Sequence, residues 1–145
     1  MRAIVCGANG AMGKLIRNAL GPEAVGCVSI DGENGVPKTF AELGKVEADV
    51  LIDFSHHTAA IEVAEYAKKR GIALVMATTG HTDEELALMR ASADEVAVFH
   101  SGNFSIGINL LVNLARQAAR TLGVDFDIEI IEKHHNKKLD APSGT

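Results

Sequence analysis

The chain has 145 residues, 47% of them hydrophobic, and a formal net charge of -5. This is long enough for one domain with its own core and too apolar to stay disordered. An acidic balance without a basic stripe excludes nucleic acid as the main partner. The longest apolar runs, such as Ala3–Cys6 and Ala73–Ala77, are too short to cross a membrane.

The opening MRAIVCGANG has no signal-peptide layout and goes straight into a β-rich stretch, Arg2–Cys6, so a cytoplasmic protein is expected. Apolar residues at Met12, Leu15, Ile16, Ala19 and Leu20 have helical spacing. AVGCVSI, DVLIDF, IALVMA and VAVF read as four further strands. Between the third and fourth strands a helix is expected over about Thr58–Arg70, ended by Gly71. Thr82 with Glu85 forms a capping-box pattern opening a helix toward Ala93. A long helix over Ile106–Leu122 is closed by Gly123, and FDIEIIE (Phe126–Glu132) alternates enough to predict a last strand. Strand and helix in alternation predict an α/β fold, a Rossmann-like doubly wound parallel sheet covered on both faces. Cys6 and Cys27 lie in apolar runs and read as small core residues of a reducing compartment.

Ligands bind such sheets at the carboxyl ends of the strands. Four strand ends here carry small or polar phrases: GANGAMG, DFSHHT, ATTGHT and HSGNFS. In the first, Gly7, Gly10 and Gly13 stand between strand and helix, where glycines allow a tight turn and let a pyrophosphate approach the backbone. The helix start adds unpaired N–H groups and partial positive charge. The spacing is G-x-x-G-x-x-G, with Asn9 where a second glycine is commonest. Lys14 is followed by Leu15 rather than a hydroxyl residue, so no magnesium-holding ATP loop is expected. Asp31, at the end of the second strand, suits the adenosine ribose hydroxyls. No arginine stands beside it for a 2′-phosphate, which favours NADH over NADPH, although Lys14 or Lys38 could reach such a group. SHHT (Ser55–Thr58) reads as a helix cap by Ser55 or Thr58.

The closing stretch EKHHNKKLDAPSGT concentrates Lys133, His134, His135, Lys137 and Lys138 in an acidic protein. Such a cluster by itself reads as a solvated basic turn, or as a site for an anionic substrate and proton delivery near neutral pH. Ser143-Gly144-Thr145 after Pro142 has the look of a helix start that offers N–H groups to a carboxylate. No metal site is expected, because adjacent histidines in a strand point apart and neither cysteine is near.

Taken with DFS, ATTG and GNFSIGIN, the phrase HHNKKLDAPSGT makes the chain resemble the 4-hydroxy-tetrahydrodipicolinate (dihydrodipicolinate) reductases over its whole length. The resemblance implies a nicotinamide-dependent enzyme of diaminopimelate and lysine biosynthesis that reduces a cyclic dicarboxylate imine with NADH or NADPH. It implies that Gly7, Ala8, Asn9, Gly10, Ala11 and Met12 bind the pyrophosphate and Asp31 the ribose. Ala77, Thr78 and Thr79 would lie by the nicotinamide, as would Ser101, Gly102, Asn103 and Phe104. His134 matches the catalytic histidine and Lys138 the proton-donating lysine; His135, Gly144 and Thr145 match substrate contacts. Ala77 departs from the glycine of many members. The family is longer, so the resemblance implies a dinucleotide-binding domain over 1–125 and, over 126–145, the first strand of an α+β substrate and tetramerisation domain whose remainder is absent from this sequence. A homotetramer is implied for the full-length protein. Two other classes fit the residues: a dinucleotide-binding module without chemistry, and another Rossmann oxidoreductase such as a homoserine or aspartate-semialdehyde dehydrogenase. The latter would need a nucleophilic cysteine in a site loop, and both cysteines fall in predicted strands.

Overall fold

The computed structural model describes residues 1–134 and Asn136. It forms two compact units, Met1–Ser101 and Gly102–Thr145.

The first unit is built on five parallel strands: β1 (Ala3–Cys6), β2 (Ala24–Val28), β3 (Val50–Asp53), β4 (Ala73–Met76) and β5 (Val98–His100). Their order is β2-β1-β3-β4-β5. The chain therefore leaves β1 toward one edge, returns, and continues on the other side of β1. The reversal opens a crevice between the carboxyl ends of β1 and β3, where open α/β sheets bind ligands. Register pairs Cys6 with Val28 on one side and with Asp53 on the other. The glycine loop after β1 is thus flanked by both neighbouring strand ends.

All four residues of β1 are buried, as a central parallel strand covered on both faces requires. The helices of this unit are α1 (Ala11–Leu20), α2 (Phe40–Leu43), α3 (Ala60–Arg70) and α4 (Asp83–Ser92). The larger core cluster joins Ile4, Leu51, Leu74 and Met76 of the sheet to Val63, Ala64 and Ala67 of α3 and Met89 of α4. A smaller cluster holds Val5, Ala8 and Val36, with Ile16 and Leu20 of α1 packed against it.

Local signals behave as expected at most element ends. Gly71 closes α3 in the left-handed conformation, φ 63°. The capping box of α4 is complete: Thr82 Oγ1 accepts from Glu85 N at 3.2 Å and Glu85 Oε2 accepts from Thr82 N at 2.8 Å. Two readings need correction. The short α2, capped by Thr39, was not legible as a helix. At SHHT the cap is not Ser55 or Thr58: His56 Nδ1 accepts from Thr58 N at 3.4 Å, opening a 3-10 turn, His57–Ala59, before α3. Ser55 is taken by Asp53 instead, through its hydroxyl at 2.5 Å and its N–H at 3.1 Å.

The second unit contains α5 (Ile106–Leu122), with the bounds its spacing predicts. Ser105 caps it by accepting from Ile108 N, and Gly123 ends it. The strand expected over Phe126–Glu132 is absent: these residues belong to no sheet. Alternating apolar residues make a strand only when a partner supplies the ladder bonds, and no described strand pairs with this segment.

Candidate dinucleotide site

The loop after β1 is shaped by glycines at two backbone crossings. Gly7 has φ +74°, and a Cβ there would strike the carbonyl of Phe54 at the end of β3. A Cβ on Gly13, in the first turn of α1, would strike the carbonyl of Gly7 and come within 2.8 Å of Ala8 Cα. The loop folds back on itself through Gly10 N, which donates to Gly7 O at 3.0 Å. Gly10 is also the N-cap of α1, and among the described residues no side chain caps the helix there. Unclaimed N–H groups at a glycine-cradled helix start are what a pyrophosphate requires.

β2 ends at Val28, earlier than the sequence suggests, and the chain turns through Ser29 and Ile30 to Asp31. Asp31 is exposed. Its Oδ1 accepts from Asn9 Nδ2 at 2.6 Å and from Glu33 N at 3.1 Å. The Asn9 bond, and then the Glu33 N–H, hold its carboxyl below the usual carboxylate range, so it is an anion and a strong acceptor at neutral pH. A groove of about 460 Å³ runs from the glycine loop to this carboxylate; Gly7, Gly10, Asp31, Ser55 and His56 line it, and the exposed Ile30 adds an apolar wall. A separate cleft of about 530 Å³ along α1, near Lys14, Arg17 and Asn18, has neither Gly7, Gly10 nor Asp31 in its wall. The groove therefore fits a dinucleotide and the larger cleft does not: only the groove joins a phosphate cradle to a ribose acceptor.

The ends of β3 and β4 form a second polar assembly. Asp53 closes β3 and is fully buried. Besides Ser55, it accepts from Thr78 Oγ1 at 3.2 Å, while Ala77 N donates to its backbone carbonyl at 2.9 Å. Thr78 Oγ1 also lies 3.0 Å from His81 Nε2. A hydroxyl has one proton, and Thr78 gives it to Asp53, so Nε2 of His81 must be the donor. Burial, and then the neighbouring His100, push the His81 pKa down, leaving a neutral ring at neutral pH. Beside it His57 Nδ1 meets the Glu85 carboxylate at 3.1 Å, tying the loop after β3 to the start of α4. Four of the six histidines thus gather at this sheet edge: His56 against His57, and His81 against His100 with ring centres 5.2 Å apart. Sequence reasoning missed Asp53 and His81 as organisers of this edge. The available signal was a carboxylate ending an apolar run, DVLIDF, with a serine two places on.

The sequence-derived site residues fall into three groups. Gly7 to Met12, Asp31, and Ala77 to Thr79 stand at strand ends of the first unit, with Thr78 buried and Thr79 exposed. Ser101 closes that unit, its N–H donating to Met76 O at 3.1 Å. Gly102, Asn103 and Phe104 open the second unit, where Asn103 Oδ1 accepts from Ser105 N at 2.8 Å ahead of α5. His134 has Nδ1 3.6 Å from Glu132 Oε2. His135, Lys138, Gly144 and Thr145 lie outside the described residues.

Burial, followed by the nearby Asp53 charge, pushes the Cys6 thiol up to about 12. Cys27 is raised as well, chiefly by burial. Thiolate is the reactive form, and both shifts lead away from it. The expected result is that native protein at neutral pH resists alkylation by iodoacetamide at Cys6, while urea-unfolded protein takes label at both cysteines. Rapid native labelling of Cys6, seen by peptide mass, would contradict its placement.

Comparison with known proteins shows the family. Residues 1–104 match the family model described as dihydrodipicolinate reductase, N-terminus, and residues 107–145 match the one described as dihydrodipicolinate reductase, C-terminus. The chain is 45% identical over 152 residues to the 4-hydroxy-tetrahydrodipicolinate reductase of Caldanaerobacter subterraneus subsp. tengcongensis, covering 100% of this chain and 60% of that protein. It is 44% identical over 156 residues to the enzyme of the same name from Methanocorpusculum labreanum, covering 100% of this chain and 62% of the relative. Among solved structures, dipicolinate-bound dihydrodipicolinate reductase from Paenisporosarcina sp. TG-14 superposes with a TM-score of 0.70 at 26% identity, over 99% of this chain and 62% of that one. The chain thus spans about 60% of the length of these relatives.

Proposed function

Because the chain belongs to the dihydrodipicolinate reductase family, we propose that it carries the dinucleotide-binding part and the start of the catalytic part of a reductase. The reaction is loss of water from 4-hydroxy-tetrahydrodipicolinate and hydride transfer from NADH or NADPH to the resulting cyclic imine, dihydrodipicolinate, giving tetrahydrodipicolinate for diaminopimelate and lysine synthesis. The observation that carries this reading is the groove in which an uncapped, glycine-cradled helix start faces a side-chain-held carboxylate, Asp31. That pair is what a dinucleotide needs, and nothing in it serves the core.

Residues 1–125 make the dinucleotide-binding domain in this reading, and 126–145 begin the substrate domain. Backbone N–H groups between Gly7 and Met12 take the pyrophosphate, and Asp31 accepts from the adenosine ribose hydroxyls. Ala77, Thr78 and Thr79, with Ser101, Gly102, Asn103 and Phe104, face the nicotinamide end; Asp53 and His81 keep Thr78 in place. The bound cofactor supplies a hydride. His134 or Lys138 then supplies a proton to the reduced ring, where the arriving electron pair has been pushed toward the ring nitrogen and its carboxylate. His135, Gly144 and Thr145 hold the substrate's carboxylates. No metal takes part. The full-length protein works as a cytoplasmic homotetramer. Among the described residues no helix is long and apolar enough to cross a membrane.

A carboxylate at the ribose accepts from a free 2′-hydroxyl and repels a 2′-phosphate, so NADH should bind at least as well as NADPH. The test is titration of each cofactor against the native protein and Asp31→Ala, together with imine-dependent NADH oxidation. Asp31→Ala is expected to weaken NADH by about tenfold, the loss of a charge-assisted hydrogen bond, and to narrow the gap between the cofactors. A tenfold or greater native preference for NADPH would defeat the assignment of Asp31. NADH binding without imine-dependent oxidation by the full-length protein would leave a binding module in place of a reductase.

A further inference from the structure

The dinucleotide reading above leaves one residue of the glycine loop with a different task. We propose that the Asn9 side chain is a positioning group for the ribose site, acting on the cofactor through Asp31 and not by touching it. Asn9 is 8% exposed although it sits in the ligand loop. Both donors of its amide are committed: Nδ2 bonds Asp31 Oδ1 at 2.6 Å and the Glu33 carbonyl at 3.0 Å. Its amide oxygen lies 3.5 Å from Arg17 Nη1, and its backbone N–H reaches Ser29 Oγ at 3.4 Å. The side chain is turned into the protein and has no donor left for a ligand.

The segment it grips needs a grip. Gly32 has φ +63° and Asn34 φ +56°, so Asp31 stands on a turn outside β2 with no ladder bond of its own strand to orient it. One amide, reaching across 22 residues, joins the loop that takes the pyrophosphate to the carboxylate that takes the ribose. The glycine commonest at this place in dinucleotide loops could not make that connection. An ordered acceptor spares the ordering cost on binding and keeps the two subsites in register.

The test is a double-mutant cycle with Asn9→Gly, Asp31→Ala and the pair, reading NADH and NADPH dissociation constants. Asn9→Gly suits the backbone, since glycine is usual there. It is expected to weaken NADH about five- to tenfold through loss of preorganisation, to change NADPH less, and to have less than about a twofold effect once Asp31 is gone, as coupled neighbours behave. Equal loss in both backgrounds would overturn the proposal, since Asn9 would then act without Asp31. Asn9→Ser, too short to reach Asp31, should repeat the Asn9→Gly result. A second readout needs no cofactor. Titrated by NMR, the Asp31 carboxyl should move upward, toward its ordinary value, in Asn9→Gly; an unmoved titration would also overturn the proposal. If the native chain bound neither cofactor, the dinucleotide reading would fall, while the carboxyl titration would still decide whether Asn9 holds Asp31.

Discussion

In a full-length version of the protein, replacing His134 by Gln, or Lys138 by Ala, is expected to lower imine-dependent turnover by roughly a hundredfold or more, the usual effect of removing a positioned acid. In the proposed reaction the reduced ring must gain a proton after hydride arrives, and a positioned acid delivers it faster than solvent does. Lys138→Ala also removes a positive charge that would face a dicarboxylate, so KM should rise together with the fall in kcat. His134→Gln keeps the size and polarity of the side chain and should act mainly on kcat. Neither residue belongs to the glycine loop, and NADH affinity should stay within about twofold, as for sites without shared partners. Steady-state kinetics with a parallel cofactor titration read all three quantities. A variant with native turnover would show that the proton comes from elsewhere; a large loss of NADH affinity would show that the tail reaches the nucleotide groove.

Gly7→Ala should abolish measurable dinucleotide binding, a loss of about a hundredfold or more if near-full loss of a preorganised phosphate site is taken as its measure. Two effects add at this position. Left-handed backbone costs a non-glycine residue about 1–2 kcal/mol, and the new methyl meets the Phe54 carbonyl, whose peptide unit is held by Ser55 N donating to Asp53 Oδ1 at 3.1 Å. Backbone cannot yield as a side chain tip would. The loop must move away from β3, and with it the N–H groups at the start of α1. Gly71→Ala is the control. Gly71 has φ +63° but open space around its Cβ position, so only the left-handed cost of about 1–2 kcal/mol applies. That variant should melt earlier and bind NADH normally. Binding titrations beside thermal melts separate the two cases; if Gly7→Ala bound NADH as tightly as the native protein, the glycine loop would not be the phosphate site.

What the sequence alone determined about this protein is what neighbouring residues decide among themselves. The periodicity from Ile106 to Leu122 and the glycine after it located α5 to the residue. Thr82 and Glu85, three apart, announced a capping box that the backbone then formed. The glycine triplet after an apolar run marked the ligand loop, since tight turns and close approach are local demands on φ and on Cβ. HHNKKLDAPSGT, with the phrases at the strand ends, carried the family resemblance.

Tertiary structure decided what depends on which strands become neighbours. The pairing of β1 with β3 puts Phe54 against Gly7. Asn9 to Asp31 and Asp53 to Thr78 are contacts 22 and 25 residues apart, invisible to any local pattern. Ser55 followed the same rule: a serine before a helix usually caps it, but here the buried Asp53 carboxylate holds the hydroxyl. Phe126–Glu132 shows the limit from the other side. Its alternation states a preference for a strand, and a strand exists only where another backbone accepts its hydrogen bonds.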